Sequence, residues 1–344
     1  MNRLITILFA TASFSVSAQV MLTLDQAISA ALEHNHDLFI AGLDAEKASN
    51  SATYGNAGML PSITAAAGSN YSNQNSNLEF ATGQTQDVKG AQSLSQNASV
   101  GLSQVLFAGG RMQRSYALLK STERAANVVQ RQAMENTIAQ VWSQYMALSL
   151  LQRSVSTASE NMMISNERFT KAQLTNELGG SNTTDLLSAR VDLNRDKVSL
   201  MNIETQLESA RNTFATFIGW DNSDYAVGDG ANLTVLSGFD VKQVMTKMLS
   251  NNAVLELAKI SAETAELQEK MQQATLFPTI SAQVSYGVNQ SQAEAGFLSA
   301  SQQTGLNAGM NFNYNLFSGF QSQTQRQNTQ IETLKAERRL DQVR

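Results

Sequence analysis

One alternating stretch, written twice, limits what this chain can become. Leu306 to Gly319 reads L-N-A-G-M-N-F-N-Y-N-L-F-S-G. Leu306, Ala308, Met310, Phe312, Tyr314 and Leu316 are apolar or aromatic. Asn307, Gly309, Asn311, Asn313 and Asn315 between them are small or polar. A period of two is a β-strand with one greasy and one wet face. The greasy face is about as long as a strand that crosses a bilayer at a tilt. The wet face carries asparagines rather than charges, as a water-filled lumen would allow. A soluble sandwich strand alternates in the same way, so the strand alone does not decide.

The repetition adds the constraint. Gln96 to Gly110 reads Q-N-A-S-V-G-L-S-Q-V-L-F-A-G-G, so Leu106-Phe107-Ala108-Gly109 answers Leu316-Phe317-Ser318-Gly319. Leu60-Pro61-Ser62-Ile63 likewise answers Phe277-Pro278-Thr279-Ile280. The prolines are the only 2 in the chain and lie 278 − 61 = 217 residues apart. The same offset carries Asn35 to Asn252 and Leu38 to Leu255. A repeat of this length is a duplicated half-protein rather than a solenoid unit. Each half reads helix, proline, strand, polar loop, strand, L-F-x-G, long helix.

From Leu22 onward the chain resembles the TolC family of outer-membrane channel proteins, which serve drug efflux and type I secretion. The residues that carry the resemblance are the two L-F-x-G corners (Gly109, Gly110 and Gly319), the strand-opening prolines Pro61 and Pro278, and the tip sequence described below. The resemblance implies a mainly α fold with β. Four transmembrane strands per protomer and long antiparallel coiled-coil-like helices would form a trimeric β-barrel and an α-helical tunnel across the periplasm. It also implies the partners: two further copies of the chain, a periplasmic adaptor protein, an inner-membrane transporter and outer-membrane lipid.

Charge and address agree with export. The net charge of −5, with no basic run, argues against a nucleic-acid partner. The absence of cysteine excludes disulfides, thiolate metal sites and a lipid-modified cysteine. Arg3, the apolar run Leu4 to Phe14 and Val16-Ser17-Ala18 read as a secretory signal peptide over residues 1–18. The first structural repeat is expected over 19–238 and the second over 239–344.

Leu24 to Met59 reads as the first helix, with Thr23 as its N-cap. His34 and His36 point to different sides of such a helix, so an exposed break near Asn35 is expected rather than a metal site. Strands are expected over 62–71 and 96–107, with Asn73 to Ser95, rich in Gln, Asn, Ser and Gly, as a mobile loop. The second half repeats this with strands over 279–288 and 306–317 and a loop around Asn289 to Gln303. Within the second strand of that half, Leu306, Ala308, Met310, Phe312 and Tyr314 would face lipid, and Asn307, Asn311, Asn313 and Asn315 the lumen.

A long helix without glycine or proline is expected over 111–178, about 100 Å at 1.5 Å per residue. Its apolar residues step by threes, fours and sevens, as in coiled-coil packing. Gly179-Gly180 stops it, and Ser181, Asn182, Thr183 and Thr184 can cap a return helix over 185–218. Within the tip, 179–184, and just after it, the family resemblance places adaptor docking on Gly179, Gly180, Thr184, Asp185, Leu187 and Ala189; plain capping would explain Asp185 as well. Residues 219–238 read as an equatorial belt. A matching second tip would fall near residue 390, so the sequence is expected to be a fragment that lacks it, together with the constriction of the family.

Catalysis needs convergent acid, base or nucleophile sets. Here the histidines are neighbours and the carboxylates are spread along helices, so no catalytic, cofactor-binding or metal residues are expected. Two readings remain. One is a passive outer-membrane exit duct of an efflux pump or type I secretion system, its helices in the periplasm of a Gram-negative cell. The other is a non-conducting trimeric coiled-coil surface or adhesive protein.

Overall fold

The computed structural model describes residues 20–180, 182–220, 225–228, 240–295 and 298–344. The predicted signal peptide, Ser181 and most of the predicted belt lie outside these residues. Two compact units emerge, Met1–Ala41 with Arg131–Asp240 and Gly42–Gln130 with Val241–Arg344.

The first unit is helical with one small clip of sheet. β1 (Val20–Leu22) pairs in parallel with β4 (Tyr225–Val227). α1 (Leu24–His34) starts in a capping box: the Thr23 hydroxyl accepts from Gln26 N, and Thr23 N donates to Gln26 Oε1. The break expected near Asn35 falls there, and the helix resumes as α2 (His36–Ser51), which stops short of the predicted end at Met59. Both histidines are exposed, whereas Asn35 is buried. Its Oδ1 accepts from Leu38 N at 3.0 Å and its Nδ2 donates to Phe217 O at 2.8 Å. One side chain therefore caps α2 and also holds the far end of α4 (Thr183–Ile218).

α4 stops at Gly219, whose φ of 67° is left-handed. A Cβ there would stand 2.5 Å from the Cβ of His34, so glycine is required for the approach as well as for the conformation. α3 (Arg111–Glu177) and α4 run antiparallel, since Tyr145 meets Phe214 edge-on and Ser165 donates to Asp196. Val141, Tyr145 and Leu148 of α3 and Leu207, Phe214 and Ile218 of α4 form the core with Leu22, Ala27, Ala31, Tyr225 and Val227. Tyr145 Oη donates to Leu22 O and accepts from Gly228 N, which satisfies the polar end of a buried ring.

In the second unit, the start of α3 lies beside α6 (Ala253–Gln273), with Val128 on Ala253 and Ile260 and a 3.0 Å hydroxyl pair between Ser121 and Thr264. α5 (Val241–Asn251) precedes it, and Asn252 between them accepts from Leu255 N at 3.0 Å. That is the Asn35 cap again, 217 residues on. α7 (Gln321–Val343) reaches α6 through Thr333, which donates to Glu269.

The same unit contains an antiparallel four-stranded sheet in the order β2-β3-β5-β6. β2 spans Ser62–Glu79, β3 Thr85–Phe107, β5 Thr279–Ala293 and β6 Ala300–Asn313. The strands predicted over 62–71, 96–107 and 279–288 are therefore too short. Most of the predicted loop 73–95 is strand, and only Phe80 to Gln84 turns. A polar sequence can hold a ladder because backbone groups make it, with help here from Ser72 on Ser93 and from Gly90 N donating to Asn75 Oδ1. Likewise strand covers much of the predicted loop 289–303, with β5 running to Ala293 and β6 starting at Ala300. The strand predicted over 306–317 is corrected at both ends: it starts at Ala300 and stops at Asn313, because β5 begins opposite it at Thr279.

Candidate membrane sheet and helical tip

Pairing registers reveal what single strands cannot. Residues directly opposite each other share a face. Ile63, Leu102, Val284 and Ala308 form one row across the four strands, and Ala65, Val100, Tyr286 and Leu306 form the next. Met310 joins Ala282 and Phe312 joins Ile280 on that face. Ser69, Gln96, Gln290 and Gln302 make a polar row that closes the apolar band toward the hairpin turns. The apolar face is exposed: Met310 is 69% and Phe312 67% accessible. A depression of about 420 Å³ indents the sheet where Ala65, Ala67 and Ala98 adjoin Tyr286 and Val288.

The other face is small and polar. Thr64, Gly101, Ser285 and Asn307 form one row, and Ser62, Ser103, Gln283 and Gly309 another. Asn311 and Asn313 continue it on β6, opposite Ser281 and Thr279. The structure thus brings together Leu306, Ala308, Met310 and Phe312 on one face and Asn307, Asn311 and Asn313 on the other. Tyr314 and Asn315 fall beyond β6 and belong to neither row.

Pro61 and Pro278 each stand immediately before a strand, where a missing N–H costs no ladder bond. Gly109 and Gly110 turn β3 into α3 with φ of 60° and 78°, and Gly319 does the same before α7 at 59°. The residue answering Gly110 is Phe320, which holds φ 65° without being glycine. Sequence reasoning passed over it because only the first glycine of the pair is repeated.

At the other end of α3, Gly179 has φ 75°, and Gly180 N donates back to Thr175 O at 2.9 Å. Asn182 caps α4, accepting from Thr184 N, so the return helix predicted to start at 185 starts at Thr183. Thr184, Asp185 and Leu187 are exposed and Ala189 is half-buried. Leu178 at this turn, Leu174 on α3 and Val191 on α4 are exposed apolar residues that the motif reading left out. Their signal was available as leucines and valine beside a glycine stop.

A sheet with one apolar and one polar face has the alternation of membrane barrel strands. No helix among the described residues is long and apolar enough to cross a membrane. Residues 27–220 match the family model of the outer membrane efflux proteins, and the chain belongs to that family. No curated protein matches it.

Among solved structures, CusC is similar at 17% identity and a TM-score of 0.70, covering 94% of this chain and 72% of CusC. The outer membrane protein VceC of Vibrio cholerae is similar at 17% and 0.66, covering 93% and 75%. The CmeC outer membrane channel of Campylobacter jejuni is similar at 14% and 0.75, covering 93% and 67%. These likenesses show the TolC-type fold. The family places the chain in the outer membrane of a Gram-negative cell, as a transport protein and not an enzyme.

Proposed function

We propose that this chain builds the wall of a passive exit duct. Three copies close one β-barrel in the outer membrane and continue as one helical tunnel in the periplasm. The observation that carries the reading is the four-strand register, which gathers Leu306, Ala308, Met310 and Phe312 with apolar neighbours on every strand and sets Asn307, Asn311 and Asn313 among Ser, Thr and Gly. The apolar face meets lipid and the polar face lines water. CmeC, a fold relative, is described as an outer membrane channel.

The tip of α3 and α4 supplies the docking surface for a periplasmic adaptor. Exposed Leu187 and Leu178 give it apolar contacts, Gly179 and Gly180 let the turn close, and Thr184 and Asp185 edge it with polar groups. An inner-membrane transporter provides the energy, for efflux or type I secretion. A non-conducting stalk would have no use for an in-register two-faced sheet.

Conductance in planar bilayers tests the reading. Oligomers extracted from outer membranes are expected to give discrete ohmic current steps. A protein that inserts and never conducts would refute the duct and leave the stalk.

A further inference from the structure

The hairpin end of the sheet changes character at one bulge. β5 last pairs with β3 at Ser93 on Ala293, and beyond that rung no other described strand accompanies the β2–β3 hairpin. Glu294 pins the base of the hairpin: its N donates to Gln92 O at 3.0 Å, and its Oε2 accepts from Gln92 N at 3.1 Å. Just above, Gln74 pairs with Ala91 and then Ser76 with Val88, so β3 carries one residue more than β2. Gly90 in that bulge holds φ 67°, and its N donates to Asn75 Oδ1 at 2.9 Å. A bulge of this kind bends its strand and sharpens the twist.

The two faces exchange polarity above the bulge. β2 gains no residue there, so its alternation runs on unbroken. Ser76 and Leu78 therefore lie on the side of Ser62 and Thr64, and Val88 joins them opposite Ser76. Phe80 continues the row, its N donating to Gln84 O. The other side, apolar lower down, carries Asn77, Glu79, Thr85 and Asp87. Leu78, Phe80 and Val88 are half-buried, whereas those four are exposed. The side that lines water along the duct thus turns apolar, and the side that meets lipid turns polar and acidic.

We propose that three copies of this hairpin bend inward at the Gly90 bulge and meet through Leu78, Phe80 and Val88, forming a cap that narrows the outer mouth of the duct. The proposal rests on the duct reading and adds a constriction to it. Reach allows the meeting. From Gln74 to Phe80 the hairpin rises 80 − 74 = 6 residues, about 20 Å at about 3.3 Å each. A barrel of three such sheets has a backbone radius of about 12 Å, from strands about 4.8 Å apart and tilted by about 40°. Polarity selects the occupant. An apolar face on the water side, backed by carboxylates, is covered from the axis, where the hairpins of the other copies stand. Lipid does not reach it, because the apolar band of the sheet has already ended at the row Ser69, Gln96, Gln290 and Gln302.

Single cysteines test the cap in a chain that has none of its own. Phe80→Cys and Leu78→Cys point to the axis, and Glu79→Cys, between them, points away. After oxidation in outer membranes, the first two should give covalent dimers on the order of tenfold above Glu79→Cys, whose sulfurs lie beyond disulfide reach of one another. In planar bilayers, oxidation of Phe80→Cys oligomers should lower the current and a reductant should restore it. Phe80→Ser with Leu78→Ser, which leaves the charge unchanged, should raise the conductance above that of the wild type. If Glu79→Cys links as well as Phe80→Cys, or if the serine variant conducts like the wild type, the cap is wrong while the duct stands. If a bulky maleimide added from outside labels Phe80→Cys and no dimer forms, the face is open to an outside partner and the cap is again overturned. No current from any variant, oxidised or reduced, overturns the duct reading and the cap with it.

Discussion

Asn35 illustrates how much of this fold hangs on single polar side chains. The sequence shows an asparagine between two histidines, repeated at Asn252, and a break in the helix there. Nothing local reveals that its amide also reaches the carbonyl of Phe217, because that partner is 182 positions away. Asn35→Ala loses the cap, worth about 0.5–2 kcal/mol, and also strips Phe217 O of its donor. Asn252→Ala loses a cap bond of the same kind. Thermal melts in detergent should therefore show the larger drop for Asn35→Ala; equal drops would mean that the tie to α4 contributes nothing. Thr23 was readable as an N-cap, since the residue it caps sits within one turn. The contacts of Tyr225 were not.

Tyr225 is buried in the clip beside Phe214, its hydroxyl donating to Arg211 O. Burial, partly opposed by the Arg211 charge, pushes its phenol up to about 12 from 10.0. The folded chain holds this proton more tightly than the unfolded one. Its stabilisation is complete below pH 10 and fades as pH rises from 10 through about 12. The melting temperature of the wild type should fall across that window more steeply than that of Tyr225→Phe. Parallel curves for the two would assign the alkaline loss to other groups.

At the level of elements, alternation located the strands and undercounted them. It reads only the part of each strand whose faces differ in polarity. Beyond Tyr71 every residue of β2 except Leu78 is polar, and the backbone ladder continues without leaving a period in the sequence. The end of β6 was overcounted for the opposite reason, because Tyr314 to Phe317 have no partner strand among the described residues to make them ladder. The α3–α4 turn was legible through Gly179, while its exposed apolar surface emerged only once the helices were placed. Ala189, half-buried just past that turn, separates docking from capping. Ala189→Arg should abolish export while leaving outer-membrane oligomers at normal level on semi-native gels. Loss of the oligomers along with export would show that the position supports the hairpin instead.

For the whole molecule, the duplicated half is the fact that organises the rest. It sets two equivalent hairpins side by side in one sheet, two equivalent asparagine caps in the helices, and two strand-to-helix corners of which one is covered and one bare. Its sequence trace was clear, because offsets of 217 and 210 hold across prolines and L-F-x-G corners. The order β2-β3-β5-β6 was not, since no residue pattern states which strand pairs with which.

The central claim is that this sheet has lipid on one side and water on the other. The most direct test labels Met310→Cys and Asn311→Cys, neighbours on opposite faces, in outer membranes with a small, charged, membrane-impermeant thiol reagent. The cysteine-free background makes every label informative. The account predicts rapid modification at 311 and near silence at 310. Equal modification of both, or modification at 310 alone, would contradict it.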